Sequence, residues 1–232
     1  MRTFRIPLLV VAVTVFALTA CSGQTKTDLD PGNAAKRLDA AAEVLAQAER
    51  LDFSLTVDGS LPKGVDGLES ATGFGNRTPA FDGEVKIANG SSSLSADVIS
   101  VDGQVWAKLG FSPSYFTIDP GEYGAPDPAA LIGKPGEGVA ALLSRIEVGE
   151  VTEERDGKDV LTTITGTVAG TLIAELIPSA DADADYDVTV RLTEDDEVHD
   201  VTLTGSFYPG QDDVTYIVTV LASSESATIT AP

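Results

Sequence analysis

The chain has 232 residues, with 36 acidic against 15 basic side chains and a net charge of −21 at neutral pH. A surface this acidic repels nucleic acid and anionic lipid headgroups, so nucleic-acid binding is excluded. A single cysteine excludes an internal disulfide, and a single histidine excludes a multi-histidine metal centre.

Two arginines, Arg2 and Arg5, precede an apolar run from Pro7 to Ala20. That run is shorter than the roughly 20 residues a membrane span needs and has the layout of a secretory signal peptide over residues 1–20. It ends Leu18-Thr19-Ala20-Cys21, which matches the bacterial lipobox at all four positions. The expectation is cleavage before Cys21 and diacylglyceryl attachment to its sulfur, palmitate being one of the expected acyl groups. Two or more acyl chains make a lasting anchor where one is marginal. Residues 21–29 are then a polar tether.

Asp30-Pro31 reads as a helix start, an N-cap acid followed by proline at the first position. Leu38, Ala41, Ala42, Leu45 and Ala48 recur at helical spacing and predict a helix from Pro31 to Arg50. Phe53, Leu55 and Val57 alternate as a first strand. A Pro/Gly loop over 61–66 and a strand over 68–76, weakened by Gly73 and Gly75, follow. From Phe81 to Leu109, three short strands are joined at Asn89-Gly90 and Asp102-Gly103, strong hairpin dipeptides. One face of this meander is apolar and the other carries Glu84, Lys86, Ser95, Asp97, Gln104 and Lys108.

Residues 110–138 are rich in proline and glycine and predict little regular structure. Short helices are expected over 128–132 and 138–145. Tyr115, Phe116 and Tyr123 lie in the loop before them, either as part of a functional loop or as a seal over the core. A hairpin around Asp156-Gly157, a helix over 169–177, and strands over 187–192, 198–207 and 214–221 complete the chain. The remaining polar tail is expected to be loose. The count is about ten strands and three or four helices in one domain over residues 30–222. The fold class is α+β: a strongly curved antiparallel sheet with helices packed on its concave face.

No catalytic constellation is recognisable and no enzyme is expected. Asp181, Asp183, Asp185 and Asp187 have calcium-like spacing without the glycine or closing glutamate of a calcium loop, and read as a solvated turn. Asp195, Asp196 and Glu197 read as a hairpin tip. His199 and Asp200 are neighbours on a strand, so their side chains are expected on opposite faces. No metal and no cofactor is expected. The positive feature is the apolar face of the meander, lined by Gly83, Val85, Ala96, Val98 and Ala107. Such slim groups either leave a hydrophobic cavity or are filled by the helices.

The lipobox, the Ala-rich first helix, FSLTVDG, LPKG, FDGEVKIANG, SADVISVDGQVWAKL and DPAALIGKPGEGVAALLSRI together resemble the actinobacterial LppX/LprAFG lipoproteins. The resemblance spans residues 30–222. It implies a half-barrel similar to LolA and LolB around a hydrophobic cavity. That cavity would hold acyl chains of triacylated phosphatidylinositol mannosides, lipomannan, lipoarabinomannan or triacylglycerol. It implies lipid transfer across the periplasm from the outer face of the cell membrane, with a major-facilitator-type efflux transporter as partner. Val85, Ile87, Leu94, Ala96 and Val98 would form the sheet wall of the cavity, and Leu131, Val139, Leu142, Leu172 and Leu176 the helix side. The chain departs from the family in its acidity and its acidic turn near Asp181. The alternative is a structural or adaptor lipoprotein that binds a partner protein through that acidic surface.

Overall fold

The computed structural model describes residues 30–232, so the signal peptide, Cys21 and the tether lie outside the described residues. Eleven strands form one antiparallel sheet. In chain order they are β1 (Arg50–Val57), β2 (Gly67–Asn76), β3 (Ala80–Asn89), β4 (Ser92–Val101), β5 (Gln104–Leu109), β6 (Phe116–Ile118), β7 (Glu147–Asp156), β8 (Asp159–Ala169), β9 (Asp185–Leu192), β10 (Val198–Gly205) and β11 (Val214–Ser223). The helices are α1 (Pro31–Gln47), α2 (Pro128–Ile132), α3 (Gly138–Leu143) and α4 (Gly170–Leu176), with a 3-10 turn at Pro120–Tyr123. Among the described residues no helix is long and apolar enough to cross a membrane.

The spatial order is β6-β5-β4-β3-β2-β1-β11-β10-β9-β8-β7. Each strand pairs with its chain neighbour until β6, and β1 pairs with β11 at the centre. The curved sheet stays open between β6 and β7. The segment joining those two edge strands carries the 3-10 turn, α2 and α3. Asp102 and Gly103 both take positive φ, 56° and 73°, the backbone of the tightest hairpin turn, which suits the right-handed twist of the flanking strands.

Helix α1 starts as its sequence dictates: the Asp30 carboxylate accepts from Gly32 N–H at 2.8 Å and from Asn33 N–H at 3.2 Å. It ends at Gln47, short of the expected Arg50. Ala48 is already extended, and Arg50 pairs with Ser223 and Asn76 in the sheet. Arg37 ties the helix to the far strands. Its guanidinium pairs with Asp196 and donates to Thr162 Oγ1 at 2.5 Å and to the Thr193 carbonyl at 2.6 Å. Helix α2 is fixed from below: Asp127 caps Ala129 N–H at 2.9 Å and accepts from the fully buried Ser100 hydroxyl on β4 at 2.5 Å.

The structure corrects four sequence expectations. The proline-rich stretch contributes an eleventh strand, β6, paired with β5 through Val105–Ile118, Trp106–Thr117 and Ala107–Phe116. The tail does not hang free. Asn76 donates to the Ala227 carbonyl at 2.9 Å, and Ile229 is buried against Ala80, Ile99 and Val101 on the outer face of β3 and β4. Ile229 covers apolar side chains that would otherwise be wet, which is why Val98 to Val101 are buried on both faces. At Gly83 no wall of empty space exists, because the Phe81 ring occupies it. The fourth correction concerns His199 and Asp200. A register break between Val198 and Asp200 swings both side chains to one side, and His199 Nδ1 lies 2.6 Å from Asp200 Oδ2.

Asp200 is the anchor of a brace across three strands. Arg191 on β9 binds it through Nε at 2.9 and 3.0 Å and through Nη2, and reaches Glu154 and Asp156 near the end of β7 at 3.3 Å. Burial pushes the Asp200 carboxyl up in pKa, but the bonds from Arg191 and His199 outweigh it and hold the group below the ordinary carboxylate value. A folded-state pKa below the unfolded one adds stability above the ordinary carboxylate pKa, and that stability is lost as pH falls through the lowered folded value. Asp200→Asn is therefore expected to cost about 2 kcal/mol at pH 7, the scale of hydrogen bonds to charged groups. It should also flatten the acid limb of the stability profile, measured by urea denaturation between neutral pH and the acid side of the carboxylate range.

At the opposite pole, Tyr186, Phe207 and Tyr216 stack edge to face with centroids 4.9 and 4.8 Å apart. The Tyr216 hydroxyl donates to the Leu68 carbonyl at 2.7 Å and meets the Tyr208 hydroxyl at 3.0 Å. This cluster seals that part of the interior with satisfied polar groups.

Candidate functional site

The interior between sheet and helices holds two apolar chambers. The first has a cavity volume of about 60 Å³. Leu55, Val168, Val188, Val201, Leu203 and Val218 form its sheet wall, and Leu45, Leu131, Val139, Leu142, Ile173 and Leu176 its helix side. The second has a volume of about 100 Å³ and lies under β3 to β6, roofed by the 3-10 turn and the start of α2. Its wall is Val85, Ile87, Leu94, Ala96, Val98, Val105, Ala107, Leu109, Phe116 and Ile118.

What separates them is set by three glycines. Gly73 and Gly83 face each other on β2 and β3. A Cβ on either would lie 2.8 Å from Cζ of the Phe81 ring, and one on Gly75 would lie 2.4 Å from Cγ1 of Ile132. Phe81 and Ile132 are both completely buried. The slim residues of β2 and β3 therefore receive a ring from the sheet and a side chain from α2. The strands lining the first chamber lie on one side of this seam and those lining the second on the other.

The ten residues expected to line one cavity divide accordingly. Val85, Ile87, Leu94, Ala96 and Val98 all line the second chamber. Leu131, Val139, Leu142 and Leu176 all line the first. Leu172 lines neither; it lies on an outer groove that also takes in Leu142 and Leu176. The sequence reading missed the far-strand wall of the first chamber, Val188, Val201, Leu203 and Val218, although their period-2 alternation was visible. It also missed Phe116 and Ile118, because β6 was not anticipated.

The second chamber opens at the end where cover runs out. Leu94 is 39 % exposed and Phe116 44 % exposed, and the first half of β4 is wet on both faces. Phe111, in the β5–β6 turn, is 85 % exposed. The roof is made of short pieces: α2 has 5 residues, α3 has 6 and α4 has 7. Gly133 and Gly136 between α2 and α3, and Gly138 at the first position of α3, all have positive φ. Short helices have few internal hydrogen bonds, and such elements open locally at lower cost than a paired sheet.

Asp181 accepts from Asp183 N–H at 3.0 Å in a local turn, and among the described residues no three His, Cys, Asp or Glu side chains converge to hold a metal ion. The chambers themselves carry almost only carbon. Such a lining excludes water and suits hydrocarbon.

Solved structures of similar shape include two mycobacterial lipoproteins. LprF from Mycobacterium bovis aligns with a TM-score of 0.67 at 13 % identity, over 88 % of this chain and 99 % of that one. LppX from Mycobacterium tuberculosis aligns with a TM-score of 0.57 at 14 % identity, over 87 % of this chain and all of the other (100 %). Identities this low speak for the fold alone. No curated protein sequence matches the chain. The family model described as LppX_LprAFG lipoprotein matches residues 33–230, nearly everything described, and on that match the chain belongs to the LppX/LprAFG family of lipoproteins.

Proposed function

We propose that this protein is a lipid carrier that takes acyl chains into its two apolar chambers and moves them through water without chemistry. The observation that carries the reading is the pair of carbon-lined chambers beneath a roof of short helices. Burying one CH₂ is worth about 0.8 kcal/mol, so a chain of about sixteen carbons meets a barrier on the order of 12 kcal/mol in crossing water bare. A carrier removes most of that barrier by offering a second apolar surface.

Loading on this reading requires the chambers to widen. A cavity of about 150 Å³ with aliphatic walls holds one benzene. At about 60 and 100 Å³ both chambers are smaller than that. An acyl chain therefore needs more room than either chamber offers. Entry of an acyl chain lifts α2 and α3 off the sheet about the glycines between them, and the same apolar walls close on the chain.

Within this reading the ligands are (glyco)lipids such as triacylated phosphatidylinositol mannosides, lipomannan, lipoarabinomannan or triacylglycerol. Transfer runs across the periplasm, with the protein held at the outer face of the cell membrane through lipidated Cys21 and a major-facilitator-type transporter as the partner that hands over the cargo. Native mass spectrometry of the purified chain tests the core of the proposal. The expected spectrum contains a species heavier than the polypeptide whose added mass extracts into organic solvent as lipid. A chain that purifies empty and stays empty after incubation with diacyl lipids defeats it.

A further inference from the structure

Charged side chains make up 22 % of the sequence, yet one corner of the fold has none. Residues 88–96, which turn from β3 into β4, carry no charge, and neither do residues 109–118, which turn from β5 into β6. The two stretches are neighbours in space, because Ala96 pairs with Leu109. Apart from Asn89, every polar side chain in them ends in a hydroxyl. Ser91 to Ser95 are all exposed.

The same corner is the mouth of the second chamber, where Leu94 and Phe116 line the interior and are still half exposed. Ser112 N–H donates to the Leu109 carbonyl at 2.8 Å, so Gly110 and Phe111 form the tip of a turn whose base, Leu109, is chamber wall. Phe111 is the most exposed large hydrophobic side chain among the described residues. A lone exposed phenylalanine means little by itself. Here it stands on the lip of an apolar cavity, in a corner cleared of charge. A protein partner would find its electrostatic handle in the 36 acids of the chain, which this corner lacks. A lipid surface asks for the opposite. Charges pressed into the boundary between headgroups and acyl chains lose hydration, whereas aromatic rings and hydroxyls settle there. Residues 21–29, the expected tether, span at most about 30 Å when extended, which keeps a bilayer within reach.

We infer that this corner is the surface with which the protein meets a bilayer of electrically neutral headgroups. Phe111 dips into the interface, and the mouth of the second chamber then faces the lipid it takes up. This rests on the carrier reading above and adds to it the place of entry and the kind of surface. The net charge of −21 acts as a filter, since it repels the domain from an anionic membrane and leaves a neutral one accessible.

The test uses the chain from Ser22 to Pro232, which lacks the acylated cysteine and keeps every strand and helix of the fold. Dioleoylglycerol is offered either in phosphatidylcholine vesicles or from methyl-β-cyclodextrin with no membrane present, and uptake is followed in time by native mass spectrometry. Phe111→Ser is expected to slow uptake from vesicles about tenfold, the scale of one large apolar side chain withdrawn from the interface. It should leave uptake from cyclodextrin unchanged, because Phe111 does not line the chamber. Ser114→Asp, which puts a charge into the lip and keeps the ring, should slow vesicle uptake as well, and Phe111→Trp should retain the wild-type rate. Phosphatidylglycerol in the vesicles should slow the wild type. Equal vesicle rates for Phe111→Ser and wild type overturn the docking corner and leave the carrier reading standing. So does wild-type uptake from cyclodextrin alone, or a Phe111→Ser loss of equal size from both sources, because the ring would then serve the chamber and not the membrane. Faster uptake from phosphatidylglycerol vesicles overturns the preference for a neutral surface. No wild-type uptake from either source overturns the carrier reading and the docking corner together.

Discussion

Gly83→Val is expected to destabilise the domain by roughly 4 kcal/mol or more, at the upper end of overpacking effects and a large share of the roughly 5–15 kcal/mol that holds a domain together. The new Cβ would lie 2.2 Å from the Thr72 carbonyl oxygen, 2.7 Å from Gly73 Cα and 2.8 Å from the Phe81 ring. Two of those three neighbours are backbone in the middle of a paired ladder, Gly73 being the residue directly opposite. A flexible side chain could swing aside; a ladder cannot move without breaking its hydrogen bonds. The second branch of valine then strikes whatever the first spares. Gly110→Ala is the control, since a Cβ there has nothing within 4 Å, and it should change stability by less than about 0.5 kcal/mol. Urea denaturation of the pair decides the matter: a Gly83→Val midpoint close to that of Gly110→Ala would mean that Phe81 does not fill the seam.

The same residues show how far the sequence could be read. Hairpins follow from dipeptides whose backbone demands are local, and Asn89-Gly90, Asp102-Gly103 and Asp156-Gly157 all sit where strands reverse. The start of α1 was equally legible, because Asp30 and Pro31 act within one turn of chain. Gly73, Gly75 and Gly83 were not. Their lack of a side chain is a statement about distance to a neighbour, and that neighbour, Phe81 or Ile132, is fixed only when β2, β3 and α2 have packed. A slim residue reads as empty space until one knows what fills it. The His199–Asp200 pair failed for a related reason, since one bulge overturns the period-2 rule that separated them. The tail looked unstructured by composition, yet buried Ile229 and the Asn76 bond to the Ala227 carbonyl dock it.

Val85→Trp is expected to leave the fold intact and to cut lipid loading at least about tenfold, because excluding two methylenes at about 0.8 kcal/mol each already exceeds the 1.4 kcal/mol of one decade. Val85 points into the second chamber and is 9 % exposed. Its cross-strand partners are Ala71 on β2 and Ala96 on β4, so an indole has room to lie down where a larger pair would force the strands apart. The ring then occupies the volume an acyl chain must take. Val188→Trp makes the matching change in the first chamber, where the residue opposite on β8 is Gly166. If the two chambers each hold a chain of one lipid, either single variant excludes multi-chain lipids while single-chain amphiphiles still load, and Val85→Trp/Val188→Trp loads neither. Native mass spectrometry with dioleoylglycerol and oleate separates these cases. Wild-type loading by the Val85→Trp chain would show that the second chamber does not hold the acyl chain. Wild-type loading by the double variant would place the hydrocarbon outside both chambers.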